Sequence, residues 1–186
     1  MNVVAFAASN SRTSINRMLV RYAGEALRGL NPAVEITYLD LNDFEMPIFS
    51  VEREVEGGIP GPAKDFFDLI GTADAVIISF AEHNGSYTVA YKNVFDWASR
   101  IRPEVYQGKP LIALSASPGP RGAAGVLDTF LAGAPFFGAK VMASLSVGSF
   151  GERFDPESVT PSDPKLYEEI RQTVASLGDS EKSPDL

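Results

Sequence analysis

Short apolar runs and longer amphipathic segments alternate along this chain. The apolar runs are rich in Val, Ile, Leu and Ala and predict five β-strands, at residues 2–8, 34–39, 75–80, 110–115 and 140–147. Between and after them, apolar residues recur at helical spacing and predict five helices, at residues 14–30, 62–70, 87–101, 123–136 and 163–177. The alternation of strands with helices predicts an α/β fold.

Strands joined by helices form parallel sheets that are covered on both faces. The number and size of the elements predict a flavodoxin-like three-layer sandwich with strand order 2-1-3-4-5. We expect residues 1–178 to form this single domain and residues 179–186 to be a disordered tail. Residues 42–58 contain Pro47 and two glycines and are predicted to be a long connection, a class of segment that is often functional or mobile.

Composition narrows the classes of function. The chain has no cysteine, which excludes disulfides and thiol chemistry, and His83 is its one histidine, which excludes a multi-histidine metal site. A net charge of -8 disfavours nucleic-acid binding. No apolar run approaches the length of a membrane span, and the first residues read as a strand rather than a signal peptide. We expect a cytoplasmic protein with no metal, nucleic-acid or membrane partner.

Polar segments follow the first, third and fourth predicted strands. In the 2-1-3-4-5 order, the segments after strands 1 and 3 flank the crevice where ligands bind in open α/β sheets, and the segment after strand 4 lies beside it. The three segments are therefore the candidate site.

The first of these segments, residues 9–17, opens a helix with several hydroxyls and Arg12. Free N–H groups at a helix start, together with a guanidinium, favour an oxyanion such as a phosphate. The Gly-Lys-Ser/Thr ending of a P-loop is missing, and so are the glycines of a dinucleotide fingerprint. A terminal nucleotide monophosphate fits best, although an N-capped helix with Thr13 or Ser14 as its cap explains the same residues equally well.

The second segment, residues 82–87, contains Gly85, which permits a tight turn and a close approach of backbone to a ligand. Asn84 offers both a donor and an acceptor, which suits the edge of a flat heterocycle. The alternative is a capped turn with Ser86 as the helix N-cap. No serine or acidic triad accompanies His83, so we expect it to pack against a ligand ring or a partner surface rather than to transfer protons.

The third segment, residues 115–122, carries two glycines and Arg121 ahead of a helix. Its N–H groups and guanidinium would stabilise negative charge on a ligand ring. The alternative is a loop held open by Pro118 and Pro120. Nearby, Asp96 and Arg100 are expected to form an ion pair along one helix.

Taken together, the three segments resemble motifs of the NADPH-dependent FMN reductase family. The first family motif is similar to G-S-x-R-x-x-S-x-N, and residues 8–16 match it with Ala8 in place of glycine and the arginine one position later. The third is similar to S-x-S-P-G-x-x-G-G and is matched at Ser115, Ser117, Pro118, Gly119 and Gly122.

The second family motif is the most specific and resembles P-E-Y-N-G-S followed by a helix with K-N-x-x-D-W. This chain has Ala81 in place of the proline and His83 in place of the tyrosine. The remaining positions match, at Glu82, Asn84, Gly85, Ser86, Lys92, Asn93, Asp96 and Trp97. The resemblance covers residues 2–150 in the expected order.

The resemblance implies an enzyme in which FMN carries the chemistry and no side chain is catalytic. NADPH or NADH would pass a hydride to FMN, and an acceptor such as a quinone, azo compound, metal oxyanion or free flavin would take the electrons. It also implies a homodimer or homotetramer, with residues 42–58 and His83 as candidate contacts. The predicted cofactor-binding residues are Ser9, Ser11, Arg12, Ser14, Ile15, Asn16, Glu82, His83, Asn84, Gly85, Ser86, Ser115, Ser117, Pro118, Gly119, Arg121 and Gly122.

Two alternatives stay open at this stage. A flavodoxin-like FMN electron carrier would bind the same cofactor without nicotinamide turnover. A flavin-free nucleotide-binding regulator on the same fold is the other, because Ala8 and His83 depart from the family motifs.

Overall fold

The computed structural model describes residues 1–178, and a five-stranded parallel sheet forms its centre. The strands are β1 (Asn2–Ala8), β2 (Glu35–Leu39), β3 (Ala75–Phe80), β4 (Pro110–Ala116) and β5 (Lys140–Val147). Their order in the sheet is β2-β1-β3-β4-β5, which confirms the predicted 2-1-3-4-5 arrangement. The predicted tail at residues 179–186 lies outside the described residues.

Strand position follows from strand composition. β3 is buried at every residue, and β1 and β4 at all but their first, because their continuous apolar runs suit strands covered on both faces. β2 and β5 alternate between more and less exposed residues and lie at the two edges.

Helices cover both faces of the sheet. Their bounds are α1 (Ile15–Leu30), α2 (Val51–Gly57), α3 (Gly61–Thr72), α4 (Val89–Ala98), α5 (Ala124–Gly133), α6 (Phe150–Arg153) and α7 (Pro164–Ala175). α1 and α7 pack on one face around Leu19 and Ile170, and α3, α4 and α5 pack on the other around Phe66 and Phe130. Short 3-10 helices cover Leu41–Phe44 and Ala134–Phe137, and two-residue strands pair Glu82–His83 with Ser86–Tyr87 and Phe154–Asp155 with Thr160–Pro161.

The predicted connection at residues 42–58 is more ordered than its composition indicates, since it contains a 3-10 helix and α2. The short α2 has no buried residue, so it shows no amphipathic signal. It is capped at Ser50, whose hydroxyl accepts from the N–H of Arg53. An ion pair at 3.0 Å joins its Glu54 to Arg100, which lies just beyond the end of α4.

The helix predicted over residues 87–101 is shorter, because Ser86 and Tyr87 belong to the small antiparallel pair and Thr88 caps α4. The expected pair of Asp96 with Arg100 is wrong. Lys92 binds Asp96 at 2.6 Å, which leaves Arg100 to Glu54. The helix predicted over residues 123–136 ends at Gly133 and continues as the 3-10 helix Ala134–Phe137.

Candidate functional site

Three loops leave the sheet side by side at the carboxyl ends of its central strands. Ala8 at the end of β1 lies opposite Phe80 at the end of β3, and Phe80 lies opposite Ser115 near the end of β4. The order of the sheet reverses between β1 and β3, which is where open α/β sheets form a crevice. The loops are called the first loop (residues 9–14), the second loop (residues 81–88) and the third loop (residues 117–123).

The first loop and the first residues of α1 offer hydrogen-bond donors that the protein does not use. Within residues 1–178, the backbone N–H groups of Arg12, Thr13, Ile15 and Asn16 find no acceptor, and the exposed Arg12 guanidinium forms no ion pair. Ser14 occupies the N-cap position of α1, as predicted, but its hydroxyl makes no capping bond. Free N–H groups at the positive end of α1, together with an unpaired guanidinium in the loop before it, are the kinds of donor that favour an oxyanion.

A second cation near this loop is already neutralised. Arg17 pairs with Asp40 at 2.9 Å, and Asn42 donates both to Asp40 and to the carbonyl of Asn10 at 3.0 Å. Partial burial opposes the charged form of Asp40, but hydrogen bonds from Asn42 and the Arg17 guanidinium outweigh it and lower the pKa of Asp40. This leaves Arg12 as the available charge of the first loop.

Asn16 has a structural side chain. It is buried, its amide N–H donates to the carbonyl of Ala116 at 3.1 Å, and its oxygen accepts from the Ser79 hydroxyl at 2.8 Å and from the N–H of Ala116 at 2.9 Å. This one side chain joins the start of α1 to β3 and β4. The Asn16 side chain is therefore not available to a ligand.

The second loop is a two-residue hairpin. Asn84 and Gly85 have φ values of 53° and 78°, as tight antiparallel hairpins require. His83, Asn84, Gly85 and Ser86 are exposed, and a Cβ on Gly85 would have no neighbour within 4 Å among the described residues. The loop presents a small exposed surface, held at its base by Thr88, whose buried hydroxyl donates to the carbonyl of Ala8 at 2.9 Å.

The third loop turns its carbonyls into the protein. The carbonyl of Gly122 accepts from the hydroxyls of Ser115 and Ser146, at 2.7 and 2.9 Å, and the carbonyl of Gly119 accepts from the N–H of Ser149 at 3.0 Å. The N–H groups of Gly119, Arg121 and Ala123 find no acceptor within residues 1–178. Ser115 is thus a buried support of this loop, and the N–H groups of the exposed residues Gly119 and Arg121 are left without a protein acceptor.

A cleft of about 260 Å³ opens between the first and second loops. Its wall includes Asn10 from the first loop, His83 from the second, and residues 44–48, which come from the predicted connection. The complete lining is Asn10, Leu41, Phe44, Glu45, Met46, Ile48, His83, Thr88, Val89, Ala90 and Asn93.

Comparison with known proteins decides the family. The sequence model of the NADPH-dependent FMN reductase family matches residues 1–152. The chain belongs to the NADPH-dependent FMN reductase family. This confirms the resemblance inferred from the loop motifs.

Several curated relatives of the chain carry quinone reductase names. The chain is 31% identical to an NADPH:quinone oxidoreductase of Arabidopsis thaliana over 64% of its own length and 59% of that protein. It is 27% identical to a probable NADPH:quinone oxidoreductase 2 of Oryza sativa over 95% of its own length and 87% of that protein. It is 30% identical to a quinone reductase of Escherichia coli over 67% of its own length and 64% of that protein.

A solved structure shares the fold over nearly the whole chain. It is a flavoenzyme NAD(P)H:(acceptor) oxidoreductase from Paracoccus denitrificans, with a TM-score of 0.77, 24% identity and 97% coverage of both chains. At this identity the likeness supports the flavodoxin-like fold alone.

The family motif K-N-x-x-D-W has a visible structural task in this chain. Asn93 accepts from the N–H of Phe49 at 2.9 Å and donates to the carbonyl of Met46 at 3.1 Å, and Trp97 donates to the carbonyl of Pro47 at 2.7 Å. These bonds fix residues 46–49 against α4 and so build one wall of the cleft.

Sequence reasoning missed these supports, together with Thr88. The K-N-x-x-D-W spacing marked Asn93 and Trp97 as important but did not indicate their partners some 50 residues away. The predicted site residues differ in exposure and in what their side chains bind. Ser9, Ser14, Asn16, Ser115 and Gly122 are buried, whereas the others have exposed surface. The side chains of Asn16, Glu82 and Ser115 make hydrogen bonds to the protein itself. No group of three metal-ligating side chains occurs among residues 1–178, and no helix there is long and apolar enough to cross a bilayer.

Proposed function

We propose that the protein is an FMN-dependent NAD(P)H oxidoreductase. The observation that carries the proposal is the set of unpaired N–H donors in the first and third loops, which lie on either side of the exposed second loop. These loops flank the crevice of the sheet, in a chain that belongs to the NADPH-dependent FMN reductase family. When bound, FMN would supply the hydride chemistry, and the protein would supply binding, orientation and charge.

The donor chemistry fits FMN part by part. Unpaired N–H groups, the Ser11 and Thr13 hydroxyls and the Arg12 guanidinium suit a dianionic phosphate at the first loop. The second loop offers the exposed residues Asn84 and Gly85 to a ring. The free N–H groups of Gly119 and Arg121 suit negative charge that develops on such a ring. Glu82, His83 and Ser86 from the second loop, and Pro118 and Gly122 from the third, complete the proposed contact surface.

The electron acceptor is proposed to be a small molecule of the quinone class, in keeping with the names of the curated relatives. Azo compounds, metal oxyanions and free flavin are further candidates. NADPH is the favoured donor by the family name, and NADH remains the alternative.

We further propose a cytoplasmic homodimer or homotetramer. Ile48 and Val89 line the cleft and are 64% and 68% exposed, and Val51 and Val55 on α2 are 61% and 81% exposed. An apolar surface beside the cleft supports a role for residues 42–58 in subunit contact.

The proposal is tested by the absorbance spectrum of purified protein, with and without micromolar FMN, followed by NAD(P)H oxidation with a quinone. We expect a yellow protein that oxidises NAD(P)H. A protein that takes up no FMN would contradict the proposal, and FMN uptake without NAD(P)H oxidation would instead indicate an electron carrier.

The first loop can be tested separately by Arg12→Ala. Loss of a charge-assisted phosphate contact is expected to weaken FMN binding about tenfold or more, measured by quenching of flavin fluorescence. Arg28→Ala is the matched control, because Arg28 lies at the other end of α1 and pairs with Glu25. Equal FMN affinity of the two variants would show that Arg12 does not contribute to FMN binding.

A further inference from the structure

Glu82 joins the second loop to the third. It lies at the base of the hairpin, opposite Tyr87, and its carboxylate reaches across to α5, where it accepts from the N–H of Val126 at 2.9 Å. The approach is close, since a Cβ on Gly125 would lie 3.0 Å from Glu82 Oε2.

α5 has no capping side chain of its own. Its N-cap position is Ala123, which has φ 62° and a methyl group that cannot accept a hydrogen bond. N-cap side chains normally satisfy the N–H of the second or third residue of the helix. Val126 is the third residue of α5, so Glu82 supplies from another loop the acceptor that Ala123 lacks.

Within residues 1–178, the other hydrogen bonds that join the third loop to the rest of the protein run to β4, β5 and the residues just after β5. Its carbonyls accept hydrogen bonds from Ser115 in β4, from Ser146 in β5 and from Ser149 just after β5. The hydrogen bond from the Val126 N–H to the Glu82 carboxylate therefore joins the helix end of this loop to the second loop.

We propose that Glu82 is a positioning residue, which caps α5 and thereby fixes the spacing between the two loops that face the cofactor ring. The inference rests on the proposed function, because it assigns the ring to these loops. The Glu82 carboxylate binds the N–H of Val126, so the side chain acts through the protein's own backbone.

The test compares Glu82→Ala and Glu82→Gln with Asp128→Asn. Asp128 is an exposed carboxylate on α5 that forms no hydrogen bond or ion pair within residues 1–178, so its variant controls for the loss of charge. Glutamine keeps an acceptor oxygen and should rescue the cap. Two quantities are measured: hydrogen exchange at residues 122–127 without ligand, and the Kd for FMN.

We expect Glu82→Ala to speed exchange of the Val126 amide about tenfold and to raise the FMN Kd by a similar factor, in the range of a lost helix cap. Glu82→Gln and Asp128→Asn should stay within about threefold of wild type in both measurements.

Unchanged exchange in Glu82→Ala would overturn the proposal. So would faster exchange with an unchanged FMN Kd, since Glu82 would then be a cap with no effect on the site. If wild-type protein takes up no FMN, the proposed function fails, and the exchange comparison alone still decides whether Glu82 couples the two loops.

Discussion

Two buried tyrosines, Tyr91 on α4 and Tyr106 in the segment before β4, are hydrogen-bonded to each other. The hydroxyl oxygens of Tyr91 and Tyr106 are 2.6 Å apart, and both side chains are buried. Burial raises the pKa of both phenols above the usual value of 10. Each hydroxyl is the partner that keeps the other from being an unsatisfied polar group in the core.

Tyr91→Phe is expected to destabilise the protein by about 1–3 kcal/mol, because it leaves the Tyr106 hydroxyl buried without this partner. The double variant Tyr91→Phe, Tyr106→Phe should recover part of that loss, since it removes both polar groups. Urea unfolding of the single and double variants measures the difference. Additive losses would contradict the coupling.

The same pair predicts the response to alkali. Because folding raises the pKa of both tyrosines, their contribution to stability is complete below pH 10 and is lost as the pH rises above it, where only the unfolded chain releases the protons readily. The double phenylalanine variant should therefore lose less stability than wild type between pH 9 and 11. Unfolding free energies at each pH give the comparison.

At the scale of elements, α4 organises the wall of the cleft. Asn93 and Trp97 bind the backbone of residues 46–49, and the Phe49 ring packs edge-on against Trp97 with centroids 5.0 Å apart. Residues 46–49 are thus held against α4 by hydrogen bonds and by one contact between aromatic rings.

Asn93→Ala is expected to cost about 1–3 kcal/mol and to increase hydrogen exchange over residues 46–58, because it removes the partners of Met46 and Phe49. Lys92→Ala is the control on the same helix. Its exposed pair with Asp96 should contribute less than about 1 kcal/mol and leave that exchange unchanged. Equal exchange in the two variants would show that the segment is held in another way.

At the scale of the whole molecule, a ligand that binds all three loops at the carboxyl end of the sheet stabilises the strands and helices that carry these loops. FMN at a hundred times its Kd should add about 2.7 kcal/mol, and for a chain of this size this raises the Tm by about 5–10 °C. Differential scanning fluorimetry with FMN and riboflavin measures it. Riboflavin lacks the phosphate and should give a smaller shift. Equal shifts would argue against the first loop as the phosphate site.

Much of the fold could be predicted because its signals are local. Continuous apolar runs predicted the strands, and helical spacing predicted α1 and α7. Helix α2 could not be predicted, since it buries no residue and is held by the distant Arg100. Thr88 displaced Ser86 as the cap of α4 because Ser86 pairs with His83.

The loops of the candidate site were also predicted from the sequence, but the division of labour within them was not. Asn16 and Ser115 have the residue types of ligand-binding groups, and nothing nearby in the chain shows that protein atoms occupy their hydrogen bonds. Asn93 and Trp97 stood out as parts of a motif without an evident task.

The sequence by itself determined the strands, most helices, the three loops and the family. These features could be read from it because hydrophobic periodicity and motif spacing are contained in short stretches of neighbouring residues. The tertiary structure alone decided which polar groups remain free for a ligand. Asn16 is bonded to a residue 100 positions away and Glu82 to one 44 positions away. A hydrogen bond depends on distance and direction in space, so these pairings exist only once the sheet has brought its loops together.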